Sequence, residues 1–231
     1  MKLTIADLSY INQRMEAYPI MYQEIYDEIL DHVISAIETA YKNGDQRDIE
    51  SVFNEIMDTH FGGNKEIRRI VLQNSLAYNK KITKAFWGNF KSYLNWQTVM
   101  LIAILIITSF YLPQTKTGNA ILLFAVIIAS FCPIFYTLFK TKGVKTGKRK
   151  RSLARTYVVS ISQMLSILTY VILFVFRLVP KPWHLSLLSP LRYSPFIYVS
   201  LLCFFVIYTL SVIRLYKQVF KPDEFGSSSF H

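Results

Sequence analysis

Four carboxylates on the second predicted helix are the most closely spaced side chains that suggest a binding chemistry. They are Glu24, Asp27, Glu28 and Asp31. Spacings of three and four place them on one helix face, where like charges repel each other. The face is then a solvated surface, a docking site for a basic protein surface, or part of a divalent metal site, which requires oxygen ligands from further elements. We predict these four residues as partner-binding and predict no metal site.

The histidines and the motif content bear on catalysis. Asp31 and His32 are adjacent, and His60 continues the apolar series of its helix, which predicts a packed core histidine. The sequence has no HExxH, CxxC, GxSxG or glycine-rich phosphate loop. The two cysteines, Cys132 and Cys203, lie in apolar runs, which excludes a disulfide scaffold and a zinc ribbon. We therefore predict a protein that is not an enzyme and has no cofactor.

A dense basic segment follows the second long apolar run. Anionic phospholipid attracts such a segment by about 1 kcal/mol per Lys or Arg near the surface. A nucleic-acid partner is not predicted, because stacking aromatics are missing from the segment. The alternative is that the acidic face of the second helix docks on it. The predicted lipid-binding residues are Lys145, Lys148, Arg149, Lys150, Arg151 and Arg155.

The charges divide the chain into two regions. Residues 1–80 carry 8 Lys or Arg and 13 Asp or Glu, a net charge of −5, whereas residues 81–231 carry 18 and 2, a net charge of +16. The whole chain is 52% hydrophobic and only 18% charged, below the 25% or so of ordinary domains. This combination argues against a single soluble domain.

Four apolar stretches have the roughly 17–25 residues needed to cross a membrane. They are Trp96–Leu112, which Tyr93 and Leu94 can extend, Ala120–Phe139, Thr156–Val179 and Phe196–Tyr216. Lys and Arg are concentrated before the first stretch and between the second and third, which places both segments and both termini in the cytoplasm. The fold prediction is all-α, a polytopic membrane protein with four transmembrane helices and an N-terminal cytoplasmic helical bundle.

Small polar residues mark the third and fourth stretches. Ser162, Ser166 and Thr169 follow helical spacing in the third, and the fourth contains Ser200, Thr209 and Ser211. Such residues are typical of helix–helix contacts within one chain or in a homo-oligomer, with a substrate path as the alternative. Pro133 should bend the second stretch and leave a carbonyl for a neighbouring helix to satisfy.

The first 80 residues show helical periodicity throughout. Thr4 and Asp7 predict a capping box, Pro19 suits the first turn of the second helix, and Asn64 can cap a fourth helix starting at Lys65. Turns are predicted at Gly44 and at the Gly62-Gly63 pair. We divide the chain into the bundle (1–80), a basic aromatic juxtamembrane helix (81–95), the transmembrane domain (96–216) and a polar tail (217–231).

The juxtamembrane helix has an apolar face surrounded by lysines. Ile82, Phe86, Trp87 and Phe90 form that face, a pattern typical of a helix at the headgroup boundary. The alternative interpretation is a linker with aromatic anchors.

The run from Tyr22 to Val33, the Lys-Asn-Gly turn at 42–44 and Phe61-Gly62-Gly63 together resemble the N-terminal module of the HAAS-type and permease-prefix families. The resemblance covers about residues 1–75 and implies a regulatory role in a bacterial inner membrane, without any catalytic residue. We therefore predict a multi-pass inner-membrane protein whose cytoplasmic domain binds or regulates a partner protein. The alternative is a component or accessory subunit of a transporter or exporter.

Overall fold

The computed structural model describes residues 3–113, 115–144, 150–178 and 195–220, without the side chains of 116 and 172–178. In this part of the chain all regular structure is helical, apart from one isolated β-bridge, and the predicted all-α class is confirmed. The helices are α1 (Ile5–Met15), α2 (Gln23–Lys42), α3 (Ile49–Thr59), α4 (Gly63–Tyr93), α5 (Trp96–Ser109), α6 (Lys116–Lys140), α7 (Leu153–Leu178) and α8 (Pro195–Phe220).

The chain forms two compact units. The first comprises Met1–Lys80 and Val144–Thr156, and the second comprises Lys81–Gly143 and Tyr157–His231. α4 and α7 each contribute residues to both units.

The N-terminus of α1 has the predicted capping box. The Thr4 hydroxyl accepts a hydrogen bond from the Asp7 backbone N–H at 3.2 Å, and the Asp7 carboxylate accepts one from the Thr4 N–H at 2.9 Å. These bonds with Thr4 lower the pKa of Asp7. The box satisfies two backbone donors that the first helical turn would otherwise leave unpaired.

The start of α2 differs from the prediction. Pro19 was assigned to its first turn, but α2 begins at Gln23 and Tyr22 has extended backbone angles. The reason is a backbone pairing outside the helix, because Tyr22 forms a parallel bridge with Arg151.

The two predicted glycine turns are confirmed. Gly44 follows α2 with a φ of +93°. Gly62 lies just before α4 with a φ of +59°, and Gly63 is the first residue of α4 with a φ of +68°. A side chain at Gly62 would also contact the Glu66 Cβ at 3.0 Å. Asn64 is not the cap of α4, because the helix already begins at Gly63.

The core of the first unit is apolar and follows the predicted stripes. α2 packs against α1 and α3. The apolar side chains of α2 in this core are buried, and so are the apolar side chains that α1, α3 and α4 contribute to it. The fully buried members include Ile11, Met15, Val33, Ile37, Val52, Phe53, Met57 and Ile67.

In the second unit, the C-terminal part of α4 packs along α8. Phe86 lies 4.9 Å from Tyr208 between ring centroids, Phe90 lies 5.8 Å from Phe204, and Ile82 is fully buried. The Asn89 amide also donates to the Gln218 side chain at 2.8 Å. The apolar face that we assigned to the headgroup boundary is thus covered mainly by a helix, and only Trp87 of that face is half exposed.

The first predicted span is not one straight helix. α4 ends at Tyr93, and Asn95 caps a separate α5 by accepting a hydrogen bond from the Thr98 N–H at 2.8 Å. α5 has 14 residues, or about 21 Å, which is less than the hydrocarbon core of roughly 30 Å. α4 and α5 qualify as a span only together, as a pair bent by 68°. The predicted extension through Tyr93 and Leu94 is therefore not a continuous helix and holds only as part of the bent pair.

Two other helices of the described residues are long and apolar enough to cross a membrane. They are Thr117–Lys140 in α6 and Pro195–Phe220 in α8, which gives two spans, or three with the bent pair. α7 covers the third predicted stretch up to Leu178, but the side chains of 172–178 lie outside the description. Residues 179–194 and 221–231, which include most of the predicted tail, also lie outside it.

Large apolar side chains cover the surface of the membrane candidates. On α6 the exposed apolar side chains recur at spacings of three and four, so they form one continuous stripe along the helix. Its members are Ile121, Phe124, Ile128, Phe131, Phe135 and Leu138. A stripe of this length is expected where lipid is the solvent.

Candidate functional site

The acidic face of α2 is on the surface of the first unit. Glu24, Asp27, Glu28 and Asp31 are all exposed. Asp27 accepts a hydrogen bond from the Gln23 side chain at 2.7 Å. The structure therefore places the four carboxylates on one helix face, as their spacing predicts.

Glu24 differs from the other three because its carboxylate caps another helix. Its Oε1 accepts a hydrogen bond from the Ser152 hydroxyl at 2.6 Å, and its Oε2 accepts one from the Leu153 backbone N–H at 2.8 Å. A weaker bond at 3.4 Å comes from the Ala154 N–H. These donors form the first turn of α7, where free N–H groups and the helix dipole favour a negative charge.

Ser152, the residue directly before α7, completes this cap. Its hydroxyl accepts a hydrogen bond from the Arg155 N–H at 3.2 Å, as an N-cap serine does, while it donates to Glu24. Ser152 is itself buried. The start of α7 is thus capped by two side chains, one local and one from α2.

The chain just before α7 is paired with the chain just before α2. The Arg151 N–H donates to the Met21 carbonyl and the Gln23 N–H donates to the Arg151 carbonyl, both at 3.0 Å. These two bonds form the parallel bridge between Tyr22 and Arg151. They fix the backbone at Arg151 beside the first turn of α2.

A cation of the same segment covers an aromatic ring of α2. The Lys150 ammonium lies 3.0 Å from the centroid of the Tyr26 ring, a cation–π contact. Burial lowers the pKa of Lys150, and the nearby Glu16 and Asp27 carboxylates oppose that shift. Lys150 therefore lies in the negative field of the α1 and α2 surface.

The negative charge of Glu24 also affects a neighbouring tyrosine. Burial, together with this carboxylate, raises the pKa of Tyr78 to about 12. Tyr78 belongs to α4 within the first unit. The Glu24 carboxylate thus contacts α7 and acts electrostatically on α4.

The predicted lipid-binding residues fall into two groups. Lys150, Arg151 and Arg155 are described, and Arg151 is exposed. Lys145, Lys148 and Arg149 lie outside the described residues.

A cleft of about 460 Å³ lies between the C-terminal half of α2 and α3. Buried Val52 and Ile56 are on its lining, together with hydroxyl groups such as that of Thr39. Arg47 is also on the lining and is ion-paired with Asp45 at 2.6 Å and Glu55 at 2.5 Å. The one strong cation of this cleft is therefore already neutralised by its neighbours.

His60 is exposed at the C-terminal end of α3, where its N–H donates to the Ile56 carbonyl. The predicted core histidine is wrong, because α3 ends at Thr59 and the position after it leaves the buried stripe. Across the residues that the structure describes, no three His, Cys, Asp or Glu side chains converge as a metal site requires.

Two of the predicted small polar residues, Ser162 and Ser166, contact a neighbouring helix. The others donate to carbonyls of their own helices, as Thr169, Ser200, Thr209 and Ser211 do. The Thr137 and Ser162 hydroxyls lie 2.9 Å apart, and both residues are fully buried between α6 and α7. The Ser166 hydroxyl donates to the Ser130 carbonyl, three residues before Pro133. The carbonyl that Pro133 leaves without a helical donor is that of Ala129, one residue earlier, so this bond does not test the prediction that a neighbouring helix satisfies it.

Comparison with known proteins gives no relative, since no family model, no curated protein and no solved structure matches this chain. The resemblance of the first 75 residues to the HAAS-type module accordingly stays an expectation from its residues alone.

Ser152, Met21 and Tyr26 were not predicted as members of the site. One signal was present, because Ser152 stands directly before an apolar helical run and is a typical N-cap residue. The carboxylate that joins it comes from a residue 128 positions earlier, and no local pattern indicates such a pairing.

Proposed function

We propose that this chain is a bacterial inner-membrane protein with four membrane-spanning helices, whose N-terminal cytoplasmic bundle binds and regulates a partner protein. One observation carries the proposal. Asp27, Glu28 and Asp31 remain exposed on a unit that has its own apolar core. A partner with a basic surface is the chemistry that such a face recognises.

The membrane part of the proposal is supported by α6, α8 and the bent pair. α7 supplies the fourth span in this proposal, because the sequence from Thr156 to Val179 is long and apolar enough. The cations before α5 and after α6 favour a cytoplasmic position for both ends of the chain.

Transport receives less support. Two of the polar side chains that could line a path, Ser162 and Ser166, instead contact Thr137 and Ser130 of another helix. Such contacts replace the hydrophobic drive that is missing between helices in lipid.

Affinity purification from native membranes tests the partner. The wild type should retain a stoichiometric protein that the variant Glu28→Lys with Asp31→Lys loses, because both carboxylates are exposed on the face. Asp58→Lys is the matched control, an exposed carboxylate on α3. Loss of the partner in the control, or retention in the double variant, would refute the acidic face as the binding surface.

Cysteine labelling tests the topology in a background without Cys132 and Cys203. Lys142→Cys follows α6 and should react only after the inner membrane is permeabilised, whereas Tyr111→Cys follows α5 and should react in intact spheroplasts. Both positions are exposed. Labelling of Lys142→Cys from outside would overturn the orientation.

A further inference from the structure

Residues 150–154, at the start of α7, already contact one end of the acidic face. Within the first unit, the Glu24 carboxylate caps α7, the Tyr22–Arg151 bridge fixes the backbone, and Lys150 covers Tyr26. The contact consists of a few polar bonds around an exposed carboxylate, with one cation–π pair. Leu153 and Ala154 are buried beside these bonds, and the polar part of the contact depends on charge.

We propose that this contact is a releasable latch, in which anionic membrane lipid competes with Glu24 and its neighbours for the segment Lys150–Arg155. The proposal deepens the proposed function, because it names what controls access to the acidic face. In the latched state Glu24 is engaged and only Asp27, Glu28 and Asp31 face a partner. After release all four carboxylates do.

The chemistry of the segment favours lipid as the competitor. Lys150, Arg151 and Arg155 precede the predicted third span directly, at the depth where headgroups lie in the proposed topology. Anionic headgroups attract each such cation. This attraction decreases with distance over a Debye length, which is about 8 Å at physiological salt. Glu24 competes with lipid because its carboxylate lies at the N-terminus of α7. There the attraction to the helix dipole and the hydrogen bonds both hold the negative charge.

Hydrogen exchange of the full-length protein in nanodiscs tests the latch without any partner. In neutral-lipid nanodiscs, Glu24→Gln should raise the exchange of the Arg151, Leu153 and Ala154 amides by about tenfold, the scale expected when a charged hydrogen bond is lost. Glu28→Gln, one turn further along α2, is the matched control and should leave these amides unchanged. No change in Glu24→Gln would overturn Glu24 as the latch residue.

Ser152→Ala keeps the test decisive if Glu24→Gln unfolds the unit. Exchange at Ile11 and Phe53, which are buried, reports on that unfolding. Ser152→Ala removes the 2.6 Å bond and should raise exchange at the start of α7 while Ile11 and Phe53 stay protected. A uniform rise across the unit in both variants would show a structural contact and overturn the latch.

The lipid arm compares neutral nanodiscs with nanodiscs containing phosphatidylglycerol. The wild type should exchange several-fold faster at the three amides in the anionic lipid, and the combined variant Lys150→Gln, Arg155→Gln should lose this difference. Equal exchange of the wild type in both lipids would overturn the release by lipid. Because no partner is present, this result is independent of the affinity purification, and the two proposals can fail separately.

Discussion

The two units differ in which side chains they bury. In the first unit the fully buried residues are apolar, such as Val33 and Phe53, and the surface carries the carboxylates of α2. In the second unit Thr137 and Ser162 are fully buried, although apolar residues are buried beside them, and the exposed surface of α6 is apolar. This difference in buried side chains is expected when one unit is surrounded by water and the other by lipid. Water favours charge outside, whereas lipid tails accept apolar groups outside and leave polar groups to pair within.

The largest expected effect compares one aromatic residue from each unit. Phe53 is 1% exposed and packs edge-on against Tyr10 at 6.4 Å, whereas Phe135 on α6 is 59% exposed. Phe53→Ala should reduce the free energy of unfolding of the first unit by about 3–5 kcal/mol, because it leaves a cavity. Phe135→Ala should stay within about 1 kcal/mol. The measurement is amide exchange of α1–α3, which should rise at least about a hundredfold in Phe53→Ala. Equal rises would contradict the difference in packing.

The second prediction tests which solvent each apolar surface faces. Ile128 near the middle of α6 and Leu72 on α4 are similarly exposed, at 51% and 58%. Ile128→Lys should cost about 2.5–3.5 kcal/mol of membrane insertion, the usual penalty for lysine at the centre of a span. Leu72→Lys faces water and should change stability by no more than about 0.5 kcal/mol.

The fraction of each variant in carbonate-washed membranes measures the insertion cost. Ile128→Lys should be depleted there while Leu72→Lys matches the wild type. If both variants insert equally well, the exposed stripe of α6 is not a lipid-facing surface.

The sequence was sufficient for features that depend on local spacing. The capping box at Thr4, the glycine turns and the buried stripes of α2 and α3 follow from residue type and period, and all are present. Errors occurred where a distant part of the chain decides the local structure. Pro19 does not begin α2 because Arg151 pairs with Tyr22, and Phe86 does not face headgroups because Tyr208 covers it.

The candidate site shows the same limit. Its carboxylates share a helix face by spacing alone, but the special position of Glu24 depends on α7 beginning beside it. The predicted boundary between the juxtamembrane helix (81–95) and the first span lies at the break between α4 and α5, but neither the cap nor the bend there was predicted. Asn95 is a good N-cap that hydropathy averaging does not detect, and the 68° bend depends on how the two helices pack.

A smaller effect is expected from one hydrogen bond inside the second unit. Ser162→Ala removes the contact with the Thr137 hydroxyl and should cost about 0.6 kcal/mol, and no more than about 1.7 kcal/mol. Ser160→Ala, at an exposed position two residues earlier, is the control. A double-mutant cycle of Ser162→Ala with Thr137→Ala, followed by thermal unfolding in detergent, measures the coupling. A coupling of zero would show that α6 and α7 do not rely on this pair.

The smallest effect concerns a surface ion pair of the first unit and its dependence on pH. Hydrogen bonds from Arg47 lower the pKa of Asp45 from 3.8 to about 2. Because the pKa of the folded state is below the ordinary value, the pair stabilises the fold fully above about pH 4, and this contribution disappears as the pH falls towards 2. The Arg47 side chain is half exposed, so solvent screens the interaction and the effect should be modest. Asp45→Asn has no carboxylate that can be protonated and should therefore show a smaller decrease in Tm between pH 4 and pH 2.5 than the wild type. Asp58→Asn is the control and should follow the wild type, and an identical slope for Asp45→Asn would show that the Arg47 pair does not contribute to stability.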